Sequence, residues 1–291
     1  MLRFVVSLVV MLPLVVLAET LIVYPAPESP QDRRFDDLQE LLRVALERTV
    51  DDFGPFRMEP MSDSMSSTRY ARELEQGRFP NVIWTSTSVE REQALLPVRI
   101  PLRRGLLSYR IALINEAEQP RFSTIRSLSD LQELTFVQGI GWGDVEVYRA
   151  NGIRVETSQY ESQFRMVHAR RVDMFPRGVG EVFAELEDRV KDLPGLAVER
   201  DLLLYYPWPY YLFVARGNDA LAHRLETGLR RMITDGSFEE IFQRYHGADI
   251  ARARLNERHI IRLRNPLLPP ETPLEDPTLW FYPDGFKYEK D

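Results

Sequence analysis

TLIVY at Thr20–Tyr24, FDDLQELLRVALE at Phe35–Glu47 and NVIW at Asn81–Trp84 mark out a first folding unit, because the apolar period changes from one to the next. Thr20–Tyr24 is a short β-rich run stopped by Pro25 and Pro27. Phe35, Leu38, Leu41, Leu42, Ala45 and Leu46 then recur at spacings of three and four, which predicts an amphipathic helix over Arg34–Thr49. Pro55–Met61 reads as extended, Ser66–Gln76 as a second helix ended by Gly77, and Asn81–Trp84 as a short buried strand. This β-α-β-α-β series is the pattern of an α/β domain.

Downstream, Ser108–Ile114 predicts a strand, and after the polar stretch Asn115–Pro120 the alternation restarts. Helices are expected at Ser127–Leu131, Gly143–Ala150, Tyr160–Arg170 and Gly178–Arg189. Strands are expected at Leu134–Val137, Ile153–Glu156, Val172–Phe175, Leu202–Tyr206 and Tyr210–Ala215. Asn218 should cap a long helix whose apolar face is Leu221, Ala222, Leu225, Leu229, Met232 and Ile233; Gly236 ends it, and Ser237 with Glu240 forms the capping box of the next. Two such units joined by two strands predict two lobes around a hinge and a ligand cleft between them. The first crossing is expected near Leu113–Asn115 and the return near Tyr206–Tyr211. The expected boundaries are 1–18 for a leader, 19–114 and 207–247 for lobe 1, 115–206 for lobe 2, and 248–291 for a docked proline-rich tail. Docking is expected because Leu267, Leu268, Trp280, Phe281 and Tyr282 make the tail too apolar for a free linker.

A leader is expected from Met1-Leu2-Arg3, the apolar run Phe4–Leu17 and the small residue Ala18 before Glu19. A short positive start, an apolar core and a small residue at the cut describe a secretory signal peptide. A membrane anchor needs roughly 18–20 apolar residues. The expectation is export to a periplasm with cleavage near Ala18. The 291 residues carry a net charge of −7 and no basic run longer than two, which argues against nucleic acid as a partner. The absence of cysteine excludes disulfides, thiolate catalysis and a lipidated cysteine. His168, His223, His246 and His259 lie too far apart in sequence for a motif such as HExxH, so neither a metal nor another cofactor is expected.

Several segments together resemble the periplasmic solute-binding proteins of family 3, the polar amino-acid type. They are the first strand closing on Tyr24-Pro25-Ala26-Pro27-Glu28-Ser29; Trp84-Thr85-Ser86-Thr87-Ser88-Val89-Glu90-Arg91; Ser127-Leu128-Ser129-Asp130-Leu131; the turn Gln138-Gly139-Ile140-Gly141; and Asp235-Gly236-Ser237-Phe238-Glu239-Glu240-Ile241-Phe242. The likeness runs from about Thr20 to Gly247. It implies the type II periplasmic binding protein fold, α/β with two Rossmann-like lobes joined by two hinge strands. It also implies a small polar ligand clamped between the lobes, an ABC permease or a membrane sensor as partner, and a monomer.

By the same resemblance Ser86 and Arg91 match the residues that grip a ligand carboxylate. A guanidinium offers such a group two parallel donors. Tyr24 matches the aromatic that walls the cleft, with Trp84 at a strand end nearby and Trp142 in the Gly139–Asp144 turn. Tyr24 and Trp84 could equally be packing. The family's ammonium-binding acid falls at Gly178 here, preceded by Pro176 and Arg177, with Glu181 a possible substitute one turn later. Arg177 is therefore expected to face Arg91 across the cleft and to favour an anionic ligand, or else to pair with Glu181. Two alternatives stay open: an orphan sensor module, and an exported dehydratase on the same fold using Glu90, Asp144 or Glu181 as acid.

Overall fold

The computed structural model describes residues 18–27 and 33–286. The leader Met1–Leu17, the Glu28-Ser29 pair and the last five residues lie outside the described residues. Twelve strands occur among those described: β1 (Thr20–Tyr24), β2 (Phe56–Pro60), β3 (Ile83–Ser86), β4 (Leu95–Leu102), β5 (Tyr109–Asn115), β6 (Thr135–Gly139), β7 (Arg154–Ser158), β8 (Phe175–Gly178), β9 (Leu196–Val198), β10 (Leu202–Tyr205), β11 (Tyr210–Ala215) and β12 (His259–Arg262).

The first lobe is built on β1 paired in parallel with β2, and on the antiparallel order β3-β11-β4. Asn81 ties the two sheets together: its N–H and side-chain amide donate to the carbonyls of Val23 and Leu21, and its Oδ1 accepts from Val23 N–H at 2.8 Å. The expected first helix forms at Asp36–Glu47 with Leu38, Leu41, Leu42 and Ala45 buried along one stripe. That stripe meets Leu225, Leu229 and Met232 of the long helix Asp219–Asp235, which rejoins this lobe from the far end of the chain.

The second lobe holds β6 and β7 in parallel and the order β12-β10-β5-β8, with β9 also on β5. A parallel bridge from Phe136 to Met174 links the two parts. Strand β5 is buried on both faces, as a near-continuous apolar run requires. Its pairing with β8, β9 and β10 puts it wholly in this lobe. The first crossing is therefore Arg103–Ser108, earlier in the chain than the expected Leu113–Asn115; the return runs between β10 and β11.

Three local expectations differ from the structure. The strand expected at Val172–Phe175 lies at Phe175–Gly178, on the edge of its sheet, where Pro176 withholds no ladder bond. Ser237 is not a cap, because Gly236 at φ 85° ends one helix and opens the next; Ser237 instead donates to Asp235. That next helix continues to Ala253, past the boundary expected at Gly247. Its first turns enter the core of lobe 1 through Phe238 and Ile241, while Phe242 and Ala253 enter that of lobe 2. The chain then pairs β12 in parallel with β10, making a third connection between the lobes.

Candidate functional site

Strand β3 ends at Ser86, opposite Tyr210 of β11. Ser88 then caps the helix Val89–Ala94 through a bond from Arg91 N–H at 3.1 Å. This cap turns the Arg91 side chain back onto the strand end, where its guanidinium donates to the Ser86 carbonyl and lies 3.5 Å from the Ser86 hydroxyl. Burial pushes the Arg91 pKa down, partly offset by Tyr210 and Glu90. Among the described residues no carboxylate pairs with Arg91. Tyr24, at the end of β1, is half-buried with its ring centroid 5.9 Å from that of Trp84. Trp84 is itself packed in the lobe 1 core against Phe35. The structure thus brings Ser86 and Arg91 together at one strand end, and Tyr24 and Trp84 into contact with each other.

The remaining two candidates lie in lobe 2 and are engaged by their own lobe. Arg177 is 8 % exposed. It donates to both oxygens of Glu185 at 2.7 and 2.6 Å and lies 3.2 Å from Glu181. Its guanidinium carbon sits 4.9 Å from the centre of the Trp142 ring and 5.1 Å from that of Phe175. Trp142 therefore forms the wall behind Arg177. Of the two arrangements weighed for Arg177, the geometry is that of the pair with Glu181, with Glu185 added.

The groups between the lobes include several that sequence reasoning passed over. Arg110, 5 % exposed on β5, pairs with Asp144 at 2.9 Å and approaches Glu181 at 3.9 Å. Asp144 also accepts from Tyr206, whose hydroxyl lies 3.0 Å from that of Tyr148. Arg103, in the first crossing, donates to both oxygens of Asp37; His246 Nε2 lies 3.0 Å from the same carboxylate. Burial raises the Tyr210 pKa, and the neighbours that act on it are Arg103, Glu181, Arg110 and Asp144. Tyr210 packs against a core cluster of each lobe, so this tyrosine marks where both lobes meet.

Glu181 lies within reach of both Arg177 and Arg110 on the lobe 2 side. Burial opposes its charge, but Arg177, Arg110 and the Gly178 N–H at 3.0 Å bring its pKa below the usual carboxylate value. Its side chain remains 35 % exposed despite these neighbours. It is an ionised acid that keeps partial access to solvent. A Cβ at Gly178 would lie 2.9 Å from Leu107 Cδ2 and 3.0 Å from Glu181 Oε2, so a side chain there would have to displace the ends of both. A charge in the otherwise apolar strand Tyr109–Ile114 was a signal that could have found Arg110.

No family model matches this sequence, and no curated protein matches it. Solved structures do match in shape. A binding component of an ABC transporter from Wolinella succinogenes, complexed with lysine, superposes at a TM-score of 0.56 with 16% identity over 78% of this chain and 95% of its own. The fold is that of a type II periplasmic binding protein. An ancestral arginine-binding protein bound to glutamine gives 0.52 with 18% identity over 79% and 98% of the two chains. An ancestral amino-acid-binding protein, a precursor of cyclohexadienyl dehydratase, gives 0.51 with 14% identity over 78% and 95%. At these identities the likeness is one of fold. Among the described residues no helix is long and apolar enough to cross a membrane, and no cluster of His, Asp and Glu could hold a metal ion.

Proposed function

We propose that this chain is an exported solute-binding protein of the polar amino-acid type. In this reading it holds a small ligand bearing a carboxylate between its lobes and delivers it, in the periplasm, to an ABC-type permease. The observation that carries the reading is Arg91: a desolvated guanidinium beside the Ser86 hydroxyl, with no acid paired to it among the described residues. A half-buried guanidinium whose near neighbours are a carbonyl and a hydroxyl, with no opposite charge, is held at a cost. A ligand carboxylate would supply that partner, with Ser86 adding a hydroxyl donor and Tyr24 an aromatic wall that core-packed Trp84 backs. Across the cleft Glu181, ionised and partly open, suits an ammonium group. Arg177 and Trp142 support the lobe 2 wall from behind and hold Glu181 in place. This charge arrangement favours a zwitterion over a dianion.

The same pair bears on the dehydratase alternative. A general acid must carry a proton at working pH, whereas Glu181 is held ionised and Asp144 is committed to Arg110 and Tyr206. A sensor role would use the same binding site with a different partner. The test is a thermal-shift panel of amino acids, dicarboxylates and inorganic anions on the mature protein. Stabilisation by at least one zwitterionic amino acid is expected. Stabilisation by dicarboxylates or phosphate alone would overturn the Arg91–Glu181 arrangement.

A further inference from the structure

The segment after β12 leaves lobe 2 and runs along both crossings between the lobes. Asn265 Nδ2 donates to the carbonyl of Pro207 in the return crossing at 2.8 Å. Two residues on, the Leu267 carbonyl accepts from Val89 N–H of lobe 1 at 3.1 Å. The Leu267 side chain meanwhile packs into lobe 2, its Cδ1 3.6 Å from where a Gly143 Cβ would stand. One residue thus engages the first turn of a helix in lobe 1 and the turn before a helix in lobe 2.

Further on, the segment covers the first crossing. Phe281 N–H donates to the Arg104 carbonyl at 2.7 Å, Arg104 donates to the Trp280 carbonyl at 2.9 Å, and the Tyr109 hydroxyl donates to the Phe281 carbonyl at 3.0 Å. Trp280 is 2 % exposed and lies so close to Gly105 that a Cβ there would fall 2.2 Å from its ring. Here the backbone is strained: Arg103, Arg104 and Gly105 all take left-handed φ values of 56°, 49° and 69°. Such angles are unfavourable for arginine and persist only where the surroundings impose them. Asp37 and Glu239 anchor the two guanidiniums, and Trp280 with Phe281 closes over the backbone.

We propose that residues 259–281 are a strap that fixes the spacing of the two lobes, so that the cleft opens only when the Leu267 and Trp280 anchors release. A hinge bends by changing φ and ψ at a few residues. Both sets of such residues here carry bonds to one segment, which itself is paired into lobe 2 and buried in lobe 1. The strap rests on the fold alone and its readout needs no ligand, so it is decided separately from the binding reading.

The test uses the full chain, whose lack of cysteine allows spin labels at two introduced sites. Glu75→Cys in lobe 1 and Glu156→Cys in lobe 2 are both exposed. Pulsed EPR should give one narrow interlobe distance without ligand. In Trp280→Ala, the distribution should broaden and gain a longer component while far-UV circular dichroism is unchanged. A second variant carries a specific protease site at the exposed Pro270-Glu271 and is cut after folding, which severs the strap between its anchors without asking a variant to fold. The same narrow distance in the cut protein, or a broad distribution in the uncut parent, overturns the strap.

Discussion

Gly105→Ala perturbs the first crossing at one atom, and its cost can be worked from two features of the structure. Left-handed φ costs an L residue roughly 1–2 kcal/mol, and Gly105 has φ 69°. The new Cβ would also stand 2.2 Å from Trp280 Cε3. Carbon atoms pack at about 3.5–4.0 Å, so the ring must withdraw by more than an ångström. Losing the packing of a buried tryptophan costs up to ~3–5 kcal/mol. A destabilisation of up to ~4–7 kcal/mol is therefore expected, most of it from the ring. Gly141→Ala is the control: its φ is 79°, yet nothing lies within 4 Å of the added Cβ. It should cost only the ~1–2 kcal/mol of backbone strain. Urea unfolding followed by circular dichroism measures both. In a Trp280→Ala background the excess cost of Gly105→Ala should vanish, because the atom it strikes is gone. If Gly105→Ala costs no more than Gly141→Ala, or its cost survives removal of Trp280, the account of this crossing is wrong.

Arg177→Met should destabilise the protein by about 3–5 kcal/mol, because it leaves Glu185 buried without its cation; unfolding midpoints with ligand absent check this, and a loss seen only in ligand affinity would contradict it. Asp37→Asn should cost a similar amount at pH 7 by stranding Arg103. Burial alone would raise the Asp37 pKa, but Arg103 and His246 hold it well below the usual carboxylate range. That stabilisation is present above the unfolded value of about 3.9 and fades as pH falls toward the folded value. The gap between wild type and Asp37→Asn should therefore narrow from pH 5 to pH 3, and an unchanged gap would refute the ion pair.

Much of the α/β pattern could be read from apolar periodicity, as at Asp36–Glu47, where Leu38, Leu41 and Leu42 fall on one face. What escaped has physical reasons. Strand β4 carries Pro97 and Pro101, which argue against a strand, yet it lies at the edge of its sheet where missing donors are tolerated. Strand β12 has only four residues and exists because β10, more than fifty positions earlier, offers it a parallel partner. In the site, Ser86 and Arg91 come together through local capping, which spacing can suggest. The Arg177–Glu185 pair joins a strand to a helix eight positions later, and the Arg103–Asp37 pair joins distant elements, so no local pattern marks either.

In this reading a ligand carboxylate completes Arg91. Isothermal titration calorimetry of the mature protein with the amino acid that stabilises it most, repeated on Arg91→Ala, tests this directly. Removing one partner of a buried charge pair costs about 2–5 kcal/mol, so affinity should fall by roughly 30-fold or more. Saturable binding at one site by the wild type, with that loss in an equally stable variant, is the predicted result. Equal affinity in the two proteins, or no amino acid bound by the wild type, would contradict it.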